Sequence, residues 1–404
     1  MIPGNFTAPR FGTAVREAGN RWAFWYFMPA DIPRDLELDP ATVDALSEAD
    51  AALGQLQGLG RLIRDPELLL GPYITREAVA SSRIEGTEAS LSDVLRAEIS
   101  GTDHRNEEIA EVERYVAATR QGLRLIKDLP ISRRLICEVH RVLLSSVRGA
   151  EKLPGEFRRS PVWVGSTTDS PDTATFVPPL PDHIPQLFTD WERYVNEDFR
   201  RPLIKAALMH YQFETIHPFL DGNGRMGRLL IGLLLIESGR LPTPLLYLSG
   251  YLETHRREYY DRLQAVRERG EVQQWLQFFL TAVRRQAEDA STRATGIVDL
   301  RERYLNEAMQ TRSRLPGLVG LIVVNPFVTV SRVEHALDLT NQGARNLIRD
   351  AERRGWLRET GSRGRGGRTY WVAQEVFDVI EAPAVYTREY DEEAGLTEPP
   401  RTVD

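Results

Sequence analysis

The sequence predicts a mainly α-helical protein with one short β-hairpin and a small helix–strand module near its C-terminus. Three observations predict it. Apolar residues recur at helical spacing over 40–65, 106–127, 132–146, 185–196 and 203–216. β-type runs are few and short, and the clearest pair, 161–165 and 174–178, brackets the turn-rich stretch 166–172. Over 317–373 the pattern changes to helix, tight turn, helix and then a strand pair around glycines and arginines, the order of a winged helix-turn-helix.

The first 70 residues open on an aromatic segment, Trp22-Ala23-Phe24-Trp25-Tyr26-Phe27. Its pattern is irregular and Pro29 closes it, so it is expected to pack against the core, with an interaction strip as the alternative. Cys137 is the single cysteine, which excludes an intrachain disulfide or a cysteine-based zinc site. Its setting, Leu135-Ile136-Cys137-Glu138-Val139, predicts a buried helical thiol, and His140 beside it reads as structural. Trp275-Leu276-Gln277-Phe278-Phe279-Leu280 closes the main core, and residues 287–310 predict a connecting helix that Pro316-Gly317 breaks. No internal repeat is found. The expected division is 1–105, 106–286, 287–316, 317–382 and an acidic, disordered tail over 383–404.

The formal net charge of −7 argues against a nucleic-acid footprint along the whole chain. The residues after Met1 lack the basic-then-apolar pattern of a secretory signal. The apolar run Leu229–Ile236 is far short of the ~20 residues a membrane span needs. A cytoplasmic protein without membrane contact is therefore expected.

The chemistry concentrates in His217-Pro218-Phe219-Leu220-Asp221-Gly222-Asn223-Gly224-Arg225-Met226-Gly227-Arg228. Helical periodicity lies on both sides, so this stretch is a loop entering the N-terminus of a core helix. There the first N–H groups lack carbonyl partners and the helix dipole favours an anion. Gly222 and Gly224 permit close backbone approach to a phosphate. His217 titrates near neutrality, which suits a general base. An isolated histidine at a helix end is more often bonded to backbone, but these neighbours favour the base. Asp221 can serve as N-cap, Mg²⁺ ligand or both. Arg225 and Arg228 carry planar donor forks that match phosphate.

The string matches the Fic family signature HPFx(D/E)GNGRxxR at every defined position, and on that ground the chain resembles a Fic protein. The resemblance implies a Fic-type helical core whose β-hairpin is the "flap", with ATP as substrate and Mg²⁺ as cofactor. It implies transfer of AMP to a Ser, Thr or Tyr hydroxyl of a protein, the chain itself included. His217 would be the base and Asp221 the metal ligand. Gly222, Asn223, Gly224, Arg225, Met226, Gly227 and Arg228 would bind nucleotide, the arginines on the β- and γ-phosphates. Tyr260 is chosen for the adenine pocket, with Tyr259 as the core tyrosine.

Upstream, Ser81-Ser82-Arg83-Ile84-Glu85-Gly86 matches the family's inhibitory pattern (S/T)xxxE(G/N). Ser81 and Glu85 are four apart and share a helix face, and Gly86 lets the helix end. By resemblance Glu85 reaches Arg228 and occupies it in place of the γ-phosphate. The flap would dock a target by strand addition, unless it is an ordinary surface hairpin. Related folds that transfer a terminal phosphate carry lysine where this chain has Gly224, which disfavours that reaction. UMP transfer, removal of AMP through a water positioned by Glu85, and a DNA-binding regulator that modifies itself all stay open. The second helix of the winged module, with Gln342, Arg345, Asn346 and Arg349, would enter a DNA groove or dock a protein, a second copy included.

Overall fold

The aromatic segment is irregular over 22–25, as expected, and becomes a strand only at Tyr26. Tyr26–Pro29 is a strand (β2) that pairs antiparallel with Gly12–Val15 (β1), with Gly12 opposite Pro29 and Val15 opposite Tyr26. The pairing escaped the sequence reading because β1 is only four residues long and carries Gly12. These strands belong to a computed structural model that describes residues 1–404 except 17–21, 63–66, 101–105, 146, 148, 150, 166–167, 198–200, 311–312, 364–367 and 383–404. The expected tail lies outside the described residues.

The helical core follows as α1 (Pro40–Leu62), α2 (Glu67–Ile84), α3 (Leu91–Ser100), α4 (Glu107–Leu125) and α5 (Arg133–Leu143). Next come α6 (Ile184–Asn196), α7 (Pro202–Ile216), α8 (Asn223–Glu237), α9 (Ser249–Thr254) and α10 (Arg256–Arg269). Local chemistry sets several starts. Asn106 accepts the N–H groups of Glu108 and Ile109 to cap α4, and Ser132 accepts that of Leu135 to cap α5. α7 starts with Pro202, whose fixed φ and missing N–H suit a first turn. α7 is buried from Ala206 to Ile216, and it packs against α8, which is buried along most of its length. That pair forms the centre of the hydrophobic core.

The expected boundary at 286/287 falls inside one helix. α11 runs unbroken over Val272–Ala308, burying Trp275, Phe279, Val283, Ala290, Ile297 and Tyr304 on one side. A continuous apolar stripe explains why core and connector are one element, and α1 packs along it. Pro316-Gly317 does not break a helix either. It lies in the first turn of α12 (Leu315–Val324), where proline favours a start. Cys137 is only half-buried, contrary to expectation.

The C-terminal module contains β3 (Phe327–Val328), α13 (Val330–Leu337), α14 (Asn341–Arg353), β4 (Arg358–Arg363), β5 (Arg368–Val372) and α15 (Gln374–Glu381). The strands order as β3-β5-β4, all antiparallel, and Thr329 and Thr340 cap the two helices. This is a winged helix-turn-helix. It is docked on the core: Arg293 of α11 donates to the carbonyls of Val379 (2.6 Å) and Ala382 (2.7 Å) at the end of α15, where a cation also suits the helix dipole. Arg76 of α2 donates to Ile380 there, and Asn325 donates to the Leu95 carbonyl of α3 at 2.9 Å. α12 and α15, which the sequence reading missed, make this dock.

Candidate active site

The loop 217–228 is held by side chains from three directions. His217 ends α7 in the left-handed region, at φ 50, an uncommon conformation for a non-glycine residue. Arg158 secures it by donating from Nε to the His217 carbonyl (2.8 Å) and from Nη2 to the carbonyls of Pro179 (2.6 Å) and Ile216 (3.3 Å). Asn223 closes the loop on itself: its Oδ1 accepts the Phe219 N–H and its Nδ2 donates to the Phe219 carbonyl, each at 2.9 Å. His140 stacks on Phe219 with ring centres 3.6 Å apart. The Gly155 N–H donates to His140 Nδ1, so Nε2 carries the proton and donates to the Asp221 carbonyl at 2.9 Å. Sequence reading missed Arg158, since nothing in Arg158-Arg159-Ser160 distinguishes one arginine from its neighbour.

This bracing leaves the first turn of α8 pointing its N–H groups into the loop. Gly222 caps it at φ 76, which a side chain would strain. Burial, with the charge of Arg158 behind it, lowers the His217 pKa to about 4. The imidazole is then neutral at physiological pH and able to accept a proton.

Ser81, Glu85 and Arg228 meet, although more than 140 positions separate the serine from the arginine. Arg228 donates from Nε to Ser81 Oγ (2.9 Å) and from Nη2 to the Ser81 carbonyl (2.8 Å) and Glu85 Oε1 (2.7 Å). The arginine side chain is 1% exposed and the glutamate 32%. Burial pushes the Glu85 pKa up, but the adjacent Arg228 charge outweighs it and holds the carboxylate below its usual range. Glu85 sits one residue beyond α2, not within it. There the Gly86 N–H reaches the Arg83 carbonyl (3.0 Å) and the Thr87 N–H the Ser82 carbonyl (3.2 Å), the paired bonds of a Schellman end with Gly86 at φ 98. A Cβ at Gly224 would lie 2.2 Å from Glu85 Oε1, so the carboxylate covers the start of α8.

Arg225 is also buried, at 2% exposure, but differently served. Its Nη2 lies 3.4 Å from Asp221 Oδ1 and its Nη1 3.7 Å from Glu111, while Nε and Nη1 have no hydrogen-bond partner. Asp221 Oδ1 also accepts the Gly222 N–H. Met226 and Gly227 face inward instead of into the loop. The Met226 side chain is fully buried and its N–H bonds the Gly222 carbonyl; Gly227 lies against Glu214 and His210. Helical phase explains this, since alternate positions of a first turn cannot all face one ligand. Tyr259 is buried and bonded to His210 at 2.8 Å, whereas Tyr260 is 39% exposed. The hairpin reduces to one bridge, Val164 with Phe176, because prolines at 161, 171, 178 and 179 remove donors. Its inner side packs on β2, where the Phe27 N–H donates to Val177, and Trp163 stays exposed.

Residues 130–235 match the Fic/DOC family, residues 43–124 the Fic/DOC family N-terminal region, and residues 315–367 an HTH DNA binding domain. The segment 130–235, which contains the loop, is thus similar to a Fic domain. Among similar curated proteins is "Protein adenylyltransferase Fic" of Aedes aegypti, 33% identical over 214 residues, which are 50% of this chain and 38% of that protein. The protein of the same name from Drosophila yakuba is 34% identical over 202 residues, 49% of this chain and 34% of its own length. This chain thus matches well under half of those relatives. A Fic family protein from Desulfovibrio desulfuricans shares the fold, with a TM-score of 0.54 at 22% identity over 83% of this chain and 97% of that one. The Fic motif and the loop braced by Arg158, Asn223 and His140 are the same segment. Among the described residues, no helix is long and apolar enough to cross a membrane.

Proposed function

We propose that this protein transfers AMP from ATP to a Ser, Thr or Tyr hydroxyl of a protein, itself included, and that Glu85 restrains the transfer. One observation carries the reading: His217 and the first turn of α8, which no side chain caps, stand on one braced loop, and burial keeps the imidazole neutral. His217 accepts the hydroxyl proton, the hydroxyl oxygen bonds to the α-phosphorus, and pyrophosphate leaves. The N–H groups of Asn223, Gly224 and Arg225 face the charge that grows on the phosphate oxygens. Arg225, with buried donors unused by the protein, suits a phosphate. Asp221 offers one part-exposed carboxylate, the contribution Mg²⁺ takes when phosphates and water complete its shell. The ion would neutralise phosphate charge there. Tyr260, beside Glu85 and Arg228 and open on one side, suits an adenine face.

The name borne by the curated relatives supports this activity, and a cytoplasmic setting fits a reaction that uses ATP. Glu85 on Arg228 removes the cation that the γ-phosphate needs, so the parent protein should be restrained. The test incubates the parent and a Glu85→Gly form with α-³²P-ATP and cell extract, followed by mass spectrometry of labelled proteins. Label on protein hydroxyls that exceeds the parent's supports the reading. A folded Glu85→Gly protein that binds ATP yet labels nothing, itself included, overturns it.

A second, compatible reading is DNA binding by the winged helix. The match of 315–367 to an HTH DNA binding domain favours it, as does the exposure of Arg345, Asn346 and Arg349 on α14.

A further inference from the structure

Thr87 and Glu111 lie outside both motifs, and the fold brings them together beneath them. Glu111 is on the inward face of α4, one turn before Tyr115, and is 3% exposed. The Thr87 hydroxyl donates to its Oε2 at 2.9 Å in a buried setting. The same oxygen faces Arg225 Nη1 at 3.7 Å. A buried carboxylate needs such partners, since an unpaired one is costly. Glu111 therefore stands between the segment that presents Glu85 and the arginine left open in the loop.

The backbone explains why Thr87 matters. Glu85 is the last residue before a left-handed Gly86, and such a junction has two anchors. One is the set of backbone bonds, from the Glu85 and Thr87 N–H groups to the Ser82 carbonyl and from the Gly86 N–H to the Arg83 carbonyl, and the other is the hydrogen bond that fixes the side chain of Thr87. Without the second, the turn can open about Gly86 and carry Glu85 off Arg228. Glu85 itself is the more exposed partner of that pair, so its own contacts confine it only partly.

We propose that the Thr87–Glu111 hydrogen bond is a positioning contact that holds Glu85 on Arg228, so that restraint of the site depends on α4 as well as on α2. The inference rests on the inhibitory reading of Glu85. Thr87→Val keeps the branched shape and removes only the donor. The substitution loosens the Glu85–Arg228 pair without removing it, so AMP transfer should rise by less than in Glu85→Gly, on the order of tenfold, and ATP binding should tighten in proportion. Thr87→Ser keeps the donor and should behave as the parent.

The decisive experiment places Thr87→Val in the parent and in the Glu85→Gly form, measuring self-labelling and ATP affinity by calorimetry. The expected result is a gain in the parent and no change in the Glu85→Gly form, where nothing remains to be positioned. Equal losses in both backgrounds, or no gain in a folded parent that Thr87→Ser also leaves unchanged, would overturn the proposal. Should Thr87→Val fail to fold, Thr87→Ala is read the same way. If Glu85→Gly itself fails to raise ATP affinity, the inhibitory reading falls first, a distinct result.

Discussion

α8 and α14 begin alike and end in different physical worlds. Each opens with asparagine, has a glycine in its first turn, and then carries arginines three or four positions apart. α8 is buried along most of its length, and both arginines are enclosed with it. α14 buries only Ala344, Leu347, Ile348 and Ala351, and leaves Gln342, Arg345, Asn346 and Arg349 in solvent. An exposed arginine is satisfied by water and needs no partner. A buried one must find an acceptor or wait for a ligand, so its surroundings report its task. Arg228 has Ser81 and Glu85, while Arg225 has donors to spare.

The largest effect should come from the loop that α8 closes. His217→Ala is expected to keep the fold and ATP binding while cutting AMP transfer about 10²- to 10⁴-fold, measured as initial rate with the Glu85→Gly form as background. Turnover near that of the background in a folded variant would remove His217 from the chemistry. The same base predicts a pH profile. Its pKa is lowered to about 4, so the imidazole is neutral above that value and gains a proton only as pH falls through it. The rate should therefore stay nearly flat from about pH 8 to 5 and drop only below, as a general base requires its unprotonated form. A midpoint near 6.5, the ordinary histidine value, would show that burial does not act on His217 as its surroundings imply.

The next largest effect tests the enclosed pair itself. Glu85→Gly frees Arg228 and should raise transfer on the order of 10- to 100-fold, the range for losing a charged hydrogen-bonded contact. Arg228→Ala should be poorly active, and the double variant should resemble it and not Glu85→Gly. Such non-additivity is expected of residues that share one interaction. A double variant as active as Glu85→Gly would mean that Arg228 matters only as a seat for Glu85, and the comparison with Arg225 would lose its force.

The sequence revealed most where one segment contains its own explanation. The residues 217–228 declare a loop at a helix start because their glycines, asparagine and flanking apolar runs act within a few positions of one another. The helices α1, α4, α5, α6 and α7 were legible for the same reason, through apolar spacing within each segment, whereas most of α2 and all of α3 were not read. Arg158 was not, because its four carbonyl acceptors are assembled only by the fold. β1 was missed because so short a strand has no periodicity to read. The supposed break at Pro316-Gly317 failed because proline has opposite meanings before and inside a helix. The continuity of α11 was obscured by polar residues, some of which (Gln286, Asp289 and Arg293) are buried among its apolar contacts and find their partners only in the fold.

The smallest effect on AMP transfer should come from α14, and that is what makes it informative. Arg345 and Arg349 are exposed, and Arg345 meets only Asn341 within its own helix, at 2.9 Å. The dock on the core uses the other side of the winged helix, through Asn325 and the end of α15. Changing both arginines to alanine should therefore leave the transfer rate of the Glu85→Gly form within about twofold, as for surface substitutions away from a site. DNA affinity should respond quite differently. Each arginine that contacts a phosphate adds roughly 0.9 to the slope of log affinity against log salt, so the double variant should show a slope shallower by up to about 1.8 units. Titrating a labelled duplex at several salt concentrations measures this directly. An unchanged slope would assign α14 to something other than a nucleic acid. A fall in AMP transfer of the same size as the fall in DNA binding would instead mean that the exposed helix and the enclosed one are coupled through α2, which touches both the dock at Arg76 and the site at Ser81.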